Sequence, residues 1–311
     1  MKTLEDIKAM SYEEKDKLED LVLEAIRDNN LAKVKDILKD YPVKISCYEL
    51  HFKNENEEYP LFDPYYLIMR AAYACEENNN DFSILDYLFD EYGLSLKDPK
   101  YNFCFTDMKY IKEANDKYVV VRYMEDNPSI YKEALIYAYI LTADNPNPQI
   151  IQYLANHGAK FEVYREDTGW SPMHFWASNN DYKFLELAIK GGANVDMEEY
   201  GKFEFGDKYD NTPLFRAVRE PGNYRTVQLL IELGANVNFI IPTSPLDEAE
   251  GARNRKLLKA AGAMTSDQLE KKFNIFYEDY DSSDEYCDLL NEAIRKDKEK
   301  RKPTKKLKEQ Q

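Results

Sequence analysis

Apolar residues recur at helical spacing in two neighbouring stretches of the chain, residues 171–195 and 212–237. Each stretch opens with Ser-Pro or Thr-Pro, runs through a short apolar segment and a polar break, and closes with a longer apolar segment and Gly-Ala-Asn-Val. In the longer segments one helical face carries Phe184, Leu185, Ala188 and Ile189 in the first stretch, and Val227, Leu230 and Ile231, with Leu229 on the flank, in the second. Each stretch therefore predicts two helices joined by a short loop.

The residues that border these predicted helices are typical of helix ends. Ser171 and Thr212 can cap the free amides of a first helix, and the proline after each suits the first helical position because no amide is needed there. Gly192 and Gly234 can adopt the left-handed conformation that ends a second helix. The borders and the periodicity thus predict the same pair of helices.

These stretches resemble the ankyrin repeat, whose motif S/T-P-L-H-x-A is followed by two helices and G-A-x-V with a period of about 33 residues. Ser244 begins a third copy, residues 244–263, and lies 32 residues after Thr212, which is one repeat. Ser171 lies 41 residues before Thr212, which is one repeat plus an insertion. Looser copies occur upstream at 133–161, 70–96 and 21–43.

The resemblance implies an all-α ankyrin-repeat solenoid of about six helix-pair repeats, with extended β-hairpin insertions and C-terminal capping helices. We expect residues 1–264 to form the repeats, with irregular copies at the N-terminal end, and residues 265–296 to form the capping helices. The apolar residues that support the capping helices are Leu269, Phe273 and Phe276, then Tyr286, Leu289, Leu290, Ala293 and Ile294. Residues 297–311 are predicted to be a basic, disordered tail.

Three insertions interrupt the repeats, at residues 44–62, 96–127 and 196–211, and the first two alternate as β-strands do. Ankyrin repeats are joined by short β-hairpin loops, so the resemblance implies that the insertions are extended hairpin fingers. Their aromatic side chains either pack back on the repeats or form a hot spot for a partner. The residues predicted to bind a partner are Trp170, Phe175, Tyr200, Phe203, Phe205 and Arg216, together with Tyr101, Phe103 and Tyr123.

Two aromatic residues in the first copy, His174 and Trp176, occupy positions that have a structural role in the ankyrin motif. His174 occupies the histidine position of the motif, where the resemblance implies that the ring hydrogen-bonds to neighbouring backbone and ties adjacent repeats together, and Phe215 stands there in the second copy. Trp176 takes the position of a small alanine, which the second copy keeps as Ala217. We expect the indole to push the helices apart, to turn outward or to cover a gap beside the insertion. His174 is interpreted as structural rather than catalytic, since no partnered nucleophile accompanies it.

The charge of the chain limits its partners. With 42 Lys and Arg against 58 Asp and Glu, the formal charge is −16, which repels nucleic acid and anionic membranes and favours a protein with a basic surface. The cysteines at 47, 75, 104 and 287 lack Cys-x-x-Cys spacing, so no metal site, cofactor or disulfide framework is predicted. The acidic N-terminus lacks the apolar core of a signal peptide, so we expect a cytoplasmic protein, or an effector secreted without a conventional signal peptide.

These observations favour a protein–protein interaction scaffold or adaptor, not an enzyme, which binds its partner through the concave face of the repeats and the hairpin fingers. A second hypothesis is an acidic inhibitor or immunity-type protein that masks a basic enzyme. A third is an enzyme or effector whose site lies in residues 41–127, around Cys47 and His51. Homo-oligomerisation through the fingers is a further alternative.

Overall fold

A computed structural model describes residues 1–42, 61–62, 64–94, 96, 119–121, 135–165, 169–199, 211–280 and 282–301. The chain forms two compact units, one of Met1–Val163 with Lys190–Ala193 and one of Tyr164–Ile189 with Asn194–Gln311. We call them unit 1 and unit 2. No helix in the described ranges is both long enough and apolar enough to cross a membrane.

Unit 1 is built of short helices. They are α1 (Leu4–Lys8), α2 (Tyr12–Arg27), α3 (Leu31–Leu38), α4 (Pro64–Glu77), α5 (Ser83–Asp86) with a π-helical turn at Tyr87–Glu91, α6 (Leu135–Thr142) and α7 (Pro148–Asn156). Strand β1 (Val119–Val121) falls within the segment predicted to be extended, and strand β2 (Val163–Arg165) lies at the border between the units. Apolar side chains such as Val22, Ile26, Leu67 and Ile150 are fully buried in this unit.

A hydrogen-bond network explains how unit 1 accommodates the long break between α6 and α7. The hydroxyl of Tyr139, a buried residue of α6, donates to Glu76 Oε2 at 3.0 Å and accepts from the Asn147 amide at 3.1 Å. The other oxygen of Glu76 accepts from the Asn145 amide at 2.7 Å. Burial raises the pKa of Tyr139, so its hydroxyl stays protonated and available as a donor.

Unit 2 contains the copies with the clearest motif. Its helices are α8 (Pro172–Asn179), α9 (Tyr182–Lys190), α10 (Pro213–Val218), α11 (Tyr224–Glu232), α12 (Pro245–Glu248), α13 (Ala252–Ala260), α14 (Ser266–Phe273) and α15 (Ser283–Arg301), with a 3₁₀ turn at Tyr277–Asp279. The first helices α8, α10 and α12 lie side by side, and the second helices α11 and α13 do the same. Leu214, Phe215, Val227 and Leu230 are fully buried between them.

The predicted helix borders are largely confirmed. Proline is the first residue of α8, α10 and α12, and the second helices are followed by left-handed glycines, including Gly192 (φ 115°) and Gly234 (φ 98°). Ser171 and Thr212 both take the extended backbone of a helix-capping residue. The cap predicted from the Thr212 side chain is wrong, however, because its Oγ1 is buried and has no hydrogen-bond partner among the described residues.

The position of Trp176 also differs from one of the expectations. Only 3% of its surface is exposed, so the prediction that the ring turns outward is wrong. Its ring centroid lies 5.4 Å from that of Phe184 on α9, in a tilted arrangement. The indole therefore fills space between the two helices of its own pair, and α8 and α10 still pack closely.

Two buried asparagines, Asn223 and Asn254, connect successive helix pairs. Asn223 Nδ2 donates to the carbonyls of Ala177 (2.9 Å) and Ser178 (2.7 Å) at the end of α8. One repeat later, Asn254 Nδ2 donates to the carbonyl of Glu220, just beyond α10, at 3.1 Å. The last carbonyls of a helix lack partners within the helix. These side chains therefore cap the first helix of the preceding pair.

The C-terminal helices begin as the pattern predicts and extend further. Thr265 and Gln268 form the predicted capping box at the start of α14. Helix α15 continues to Arg301, into the segment predicted to be a disordered tail. The buried residues of this region are Ile240, Leu269, Tyr286, Leu290 and Ile294, whereas Leu289 is 43% exposed although the pattern placed it on the apolar face.

The described residues contain six helix pairs, from α2 with α3 to α12 with α13. A repeat count of six, the solenoid arrangement of all the pairs, and the capping role of α14 and α15 remain predictions. Most of the predicted hairpin insertions lies outside the described residues, which include 61–62 of the first insertion, 96 and 119–121 of the second, and 196–199 and 211 of the third.

Candidate functional site

The two ends of the insertion at 196–211 meet in unit 2. The Glu199 amide donates to the Asn211 carbonyl at 3.0 Å. In return, Asn211 Nδ2 donates to Glu199 Oε2 at 2.9 Å. Residues 200–210 therefore leave and re-enter the described part of the chain at adjacent points.

Arg216 of α10 reinforces this closure. Its Nε donates to Glu199 Oε1 at 2.5 Å and its Nη2 to Glu199 Oε2 at 2.8 Å, so the pair is bidentate. Glu199 is only 6% exposed. Burial raises the pKa of its carboxyl group, and the hydrogen bonds from Arg216 and Asn211 oppose that rise. Because removal of one partner would leave a buried charge without compensation, this geometry fixes the ends of the insertion on α10.

Trp170 lies on the other side of the same guanidinium group. Arg216 Cζ is 4.2 Å from the centroid of the indole ring, which is within the range of a cation–π contact. Trp170 is half-buried. Residues Glu199, Asn211, Arg216 and Trp170 thus form one connected group, which we call the insertion clasp.

His174 joins the clasp to α8. The Ser171 amide donates to its Nδ1 at 3.1 Å, so Nδ1 is an acceptor, and Nε2–H donates to the Asn211 carbonyl at 2.9 Å. The ring is fully buried, and burial holds the pKa of His174 at about 3. Both ring nitrogens are occupied, and the ring stays neutral at ordinary pH. The predicted structural role, a hydrogen bond to the backbone of the next repeat, is confirmed.

Two of the predicted partner-binding residues are in contact in the structure, and several others lie outside the described residues. Trp170 and Arg216 lie together in the clasp, and Phe175 is a half-buried apolar residue of α8. The residues outside the described part of the chain are Tyr101, Phe103, Tyr123, Tyr200, Phe203 and Phe205, as well as Cys47 and His51. In the described ranges, no group of three or more His, Cys, Asp or Glu residues could hold a metal ion.

Sequence reasoning missed Glu199 and Asn211. Glu199 occurs in the acidic stretch Met-Glu-Glu, which reads as a solvated loop, and Asn211 precedes the Thr-Pro motif like an ordinary loop residue. Their position at the two ends of the insertion was the available signal, since an insertion into a repeat must return to its starting point.

Comparison with known proteins identifies the fold of this region. A family model described as ankyrin repeats matches three copies over residues 135–240. Residues 135–240 are ankyrin repeats. This range holds three helix pairs, α6 to α11, and includes the whole clasp.

Solved structures of ankyrin repeat domains are similar to the chain at low identity. One, from Acinetobacter baumannii AYE, is 18% identical and covers 78% of this chain and 98% of its own, with a TM-score of 0.36. The human ASB11 ankyrin repeat domain is 16% identical and covers 78% of this chain and 84% of its own, with a TM-score of 0.34. These TM-scores support no argument, so the assignment depends on the repeat sequences. No curated protein matches the chain.

Proposed function

We propose that the chain is a protein-binding scaffold or adaptor that holds a partner through the row of first helices and the insertion at 196–211. Ankyrin repeats generally mediate protein–protein interactions, and domains built of them are typically not enzymes. The observation that carries the proposal is the insertion clasp, because it anchors residues 200–210 at both ends on an ankyrin repeat.

The chemistry of the clasp suits a binding surface. Trp, Tyr and Arg are the residues most enriched among those that dominate binding energy. Trp170 is half-buried and is held on one face by Arg216, so it loses little side-chain freedom when a partner covers it. The sequence between the two ends joined by the clasp contains three further aromatic residues, Tyr200, Phe203 and Phe205.

The salt dependence of binding distinguishes the adaptor hypothesis from the acidic-inhibitor hypothesis. An inhibitor that masks a basic enzyme would use the formal charge of −16 of this chain, and its affinity would fall steeply with salt. An adaptor that binds through aromatic rings would keep most of its affinity between 50 mM and 500 mM NaCl. The clasp, with its aromatic ring and internally paired charges, favours the adaptor.

The test is affinity capture with quantitative mass spectrometry, in which the native chain is compared with a Phe203→Ser/Phe205→Ser variant. A matched control replaces two exposed aromatic residues elsewhere, Tyr12→Ser/Tyr277→Ser. We expect a specific partner to be lost at least tenfold by the insertion variant and retained by the control. Undiminished recovery on a folded insertion variant would show that the insertion does not bind the partner.

A further inference from the structure

A strongly basic surface lies on α13 in this otherwise acidic protein. The helix carries four cations and no acidic residue, at Arg253, Arg255, Lys256 and Lys259, and all four are exposed. None of the four forms an ion pair within the described ranges, although the chain has a formal charge of −16. Such an excess of positive charge is local and runs against the composition of the whole chain.

The surface continues onto the neighbouring helix α11 through one tyrosine. Arg253 Cζ lies 4.9 Å from the ring centroid of Tyr224. Hydrogen bonding to Tyr224, and then interaction with Tyr182, raises the pKa of the exposed Arg225. The Arg253 guanidinium thus lies against the Tyr224 ring, and the exposed Arg225 is the residue that follows Tyr224 in α11. We call Arg225, Arg253, Lys256 and Lys259 the basic surface.

The positions of the two arginines along their helices are unfavourable for a cation. Arg225 and Arg253 are the second residues of α11 and α13, and neither helix has an acidic residue in its first turn. A cation near a helix N-terminus is disfavoured by the helix dipole. The exposed acids next along the chain, Glu220 and Glu250, form no ion pair with them among the described residues.

We propose that the basic surface docks an acidic segment of a partner protein, rich in Asp and Glu side chains. Guanidinium groups bind carboxylates through two parallel hydrogen bonds, and the contact with the Tyr224 ring orients the Arg253 guanidinium before binding. A bound carboxylate would offset the unfavourable interaction of these cations with the helix dipole. The surface lies on second helices, so it is distinct from the first-helix row and the clasp, and it does not depend on their proposed function.

The test uses the full chain and a fluorescein-labelled twelve-residue peptide of alternating Asp and Glu, followed by fluorescence anisotropy in 50 mM NaCl. We expect saturable binding that weakens at least tenfold in an Arg225→Glu/Arg253→Glu variant. A control variant with the same change in charge, Lys8→Glu/Lys271→Glu, should bind within about twofold of the native chain. The control is needed because a long-range effect of net charge would weaken binding in both variants alike. Absence of binding to the native chain, or equal loss in both variants, would overturn the proposal.

Two further measurements separate the proposal from other roles of the arginines. If the arginines serve binding rather than stability, the Arg225→Glu/Arg253→Glu variant should have a Tm equal to or above that of the native chain, since an anion at these positions is favoured by the helix dipole. A lower Tm would show that they stabilise the fold and would contradict the proposal. Tighter binding of a twelve-nucleotide single-stranded DNA than of the acidic peptide would also overturn it, in favour of a nucleic-acid partner.

Discussion

The two copies at 171–195 and 212–237 meet the same structural need with different chemistry. At the third residue of the first helix, His174 hydrogen-bonds to Ser171 on one side and to the Asn211 backbone on the other. Phe215 stands at that position in the second copy and is equally buried, but it cannot accept a hydrogen bond, and the Thr212 hydroxyl has no hydrogen-bond partner in the described part of the chain. The next helix pair has Asp247 there, which accepts from Ser244 and Ser266.

The comparison teaches that a polar side chain at this position can link one helix pair to the chain beyond it, as His174 and Asp247 do, and that the fold also accommodates Phe215, which forms no hydrogen bond there. An imidazole, a phenyl ring and a carboxylate occupy it in succession. Such exchange between repeats is expected of a structural position, provided that the neighbours are adjusted. His174 is therefore best understood together with Ser171 and Asn211, as part of the support for the clasp.

The largest expected effect concerns the other aromatic difference between the copies, Trp176 against Ala217. Trp176→Ala should lower the free energy of unfolding by about 4 kcal/mol, because the buried indole fills space that Phe184 alone cannot. Trp176→Phe keeps part of that volume and should cost about half as much. Urea denaturation measures both. A loss below about 1 kcal/mol for Trp176→Ala would show that the ring is not part of the core.

Replacement of His174 by phenylalanine, the residue of the second copy, should lower the free energy of unfolding by less. His174→Phe fills the cavity but removes the donor to the Asn211 carbonyl and the acceptor for Ser171, so it should cost about 2 kcal/mol. His174→Ala also leaves a cavity and should cost about 3 kcal/mol. Chemical denaturation of both variants checks the order. Equal stability of His174→Phe and the native chain would mean that the hydrogen bonds contribute nothing.

The buried histidine also predicts a pH dependence. The pKa of His174 is about 3 in the folded chain against 6.5 for an ordinary histidine, so between these pH values the unfolded chain binds a proton that the folded chain does not. Stability should therefore fall as the pH drops below 6.5, by about 2 kcal/mol at pH 5. The loss is measured as the difference between the native chain and His174→Phe, in which all other groups are retained. The same pH dependence in both proteins would contradict the prediction.

The smallest effects concern the capping residues of the two copies. Ser171→Ala should cost about 1 kcal/mol, since it removes a hydroxyl that lies 2.8 Å from His174 Nδ1. Thr212→Val should be neutral or stabilising by up to about 1 kcal/mol, because the hydroxyl that it removes is buried without a partner. Thermal unfolding of the two variants in parallel provides the comparison. A loss of stability for Thr212→Val similar to that for Ser171→Ala would show that its hydroxyl has a partner.

The features that sequence predicted are those set by local chemistry. Helix period, proline at the first helical position and glycine in the left-handed conformation depend on a few neighbouring residues, so the helix pairs and their ends could be located. Arg216 was predicted as a binding residue, but its ion pair with Glu199 could not be, because it joins residues across an insertion. Asn223 and Asn254 were missed for the same reason: their partners belong to the preceding helix pair.

The most direct test of the structural role of His174 is a long-range ¹H–¹⁵N NMR spectrum of the imidazole rings, recorded at pH 8 and pH 5. The chain has three histidines, so the spectrum holds three sets of ring signals, and His174→Phe identifies one of them. We predict that His174 is neutral at both pH values, with its proton on Nε2 and with Nδ1 as an acceptor. A ring that becomes protonated near pH 6.5, or that carries its proton on Nδ1, would contradict the hydrogen-bonded link between the repeats.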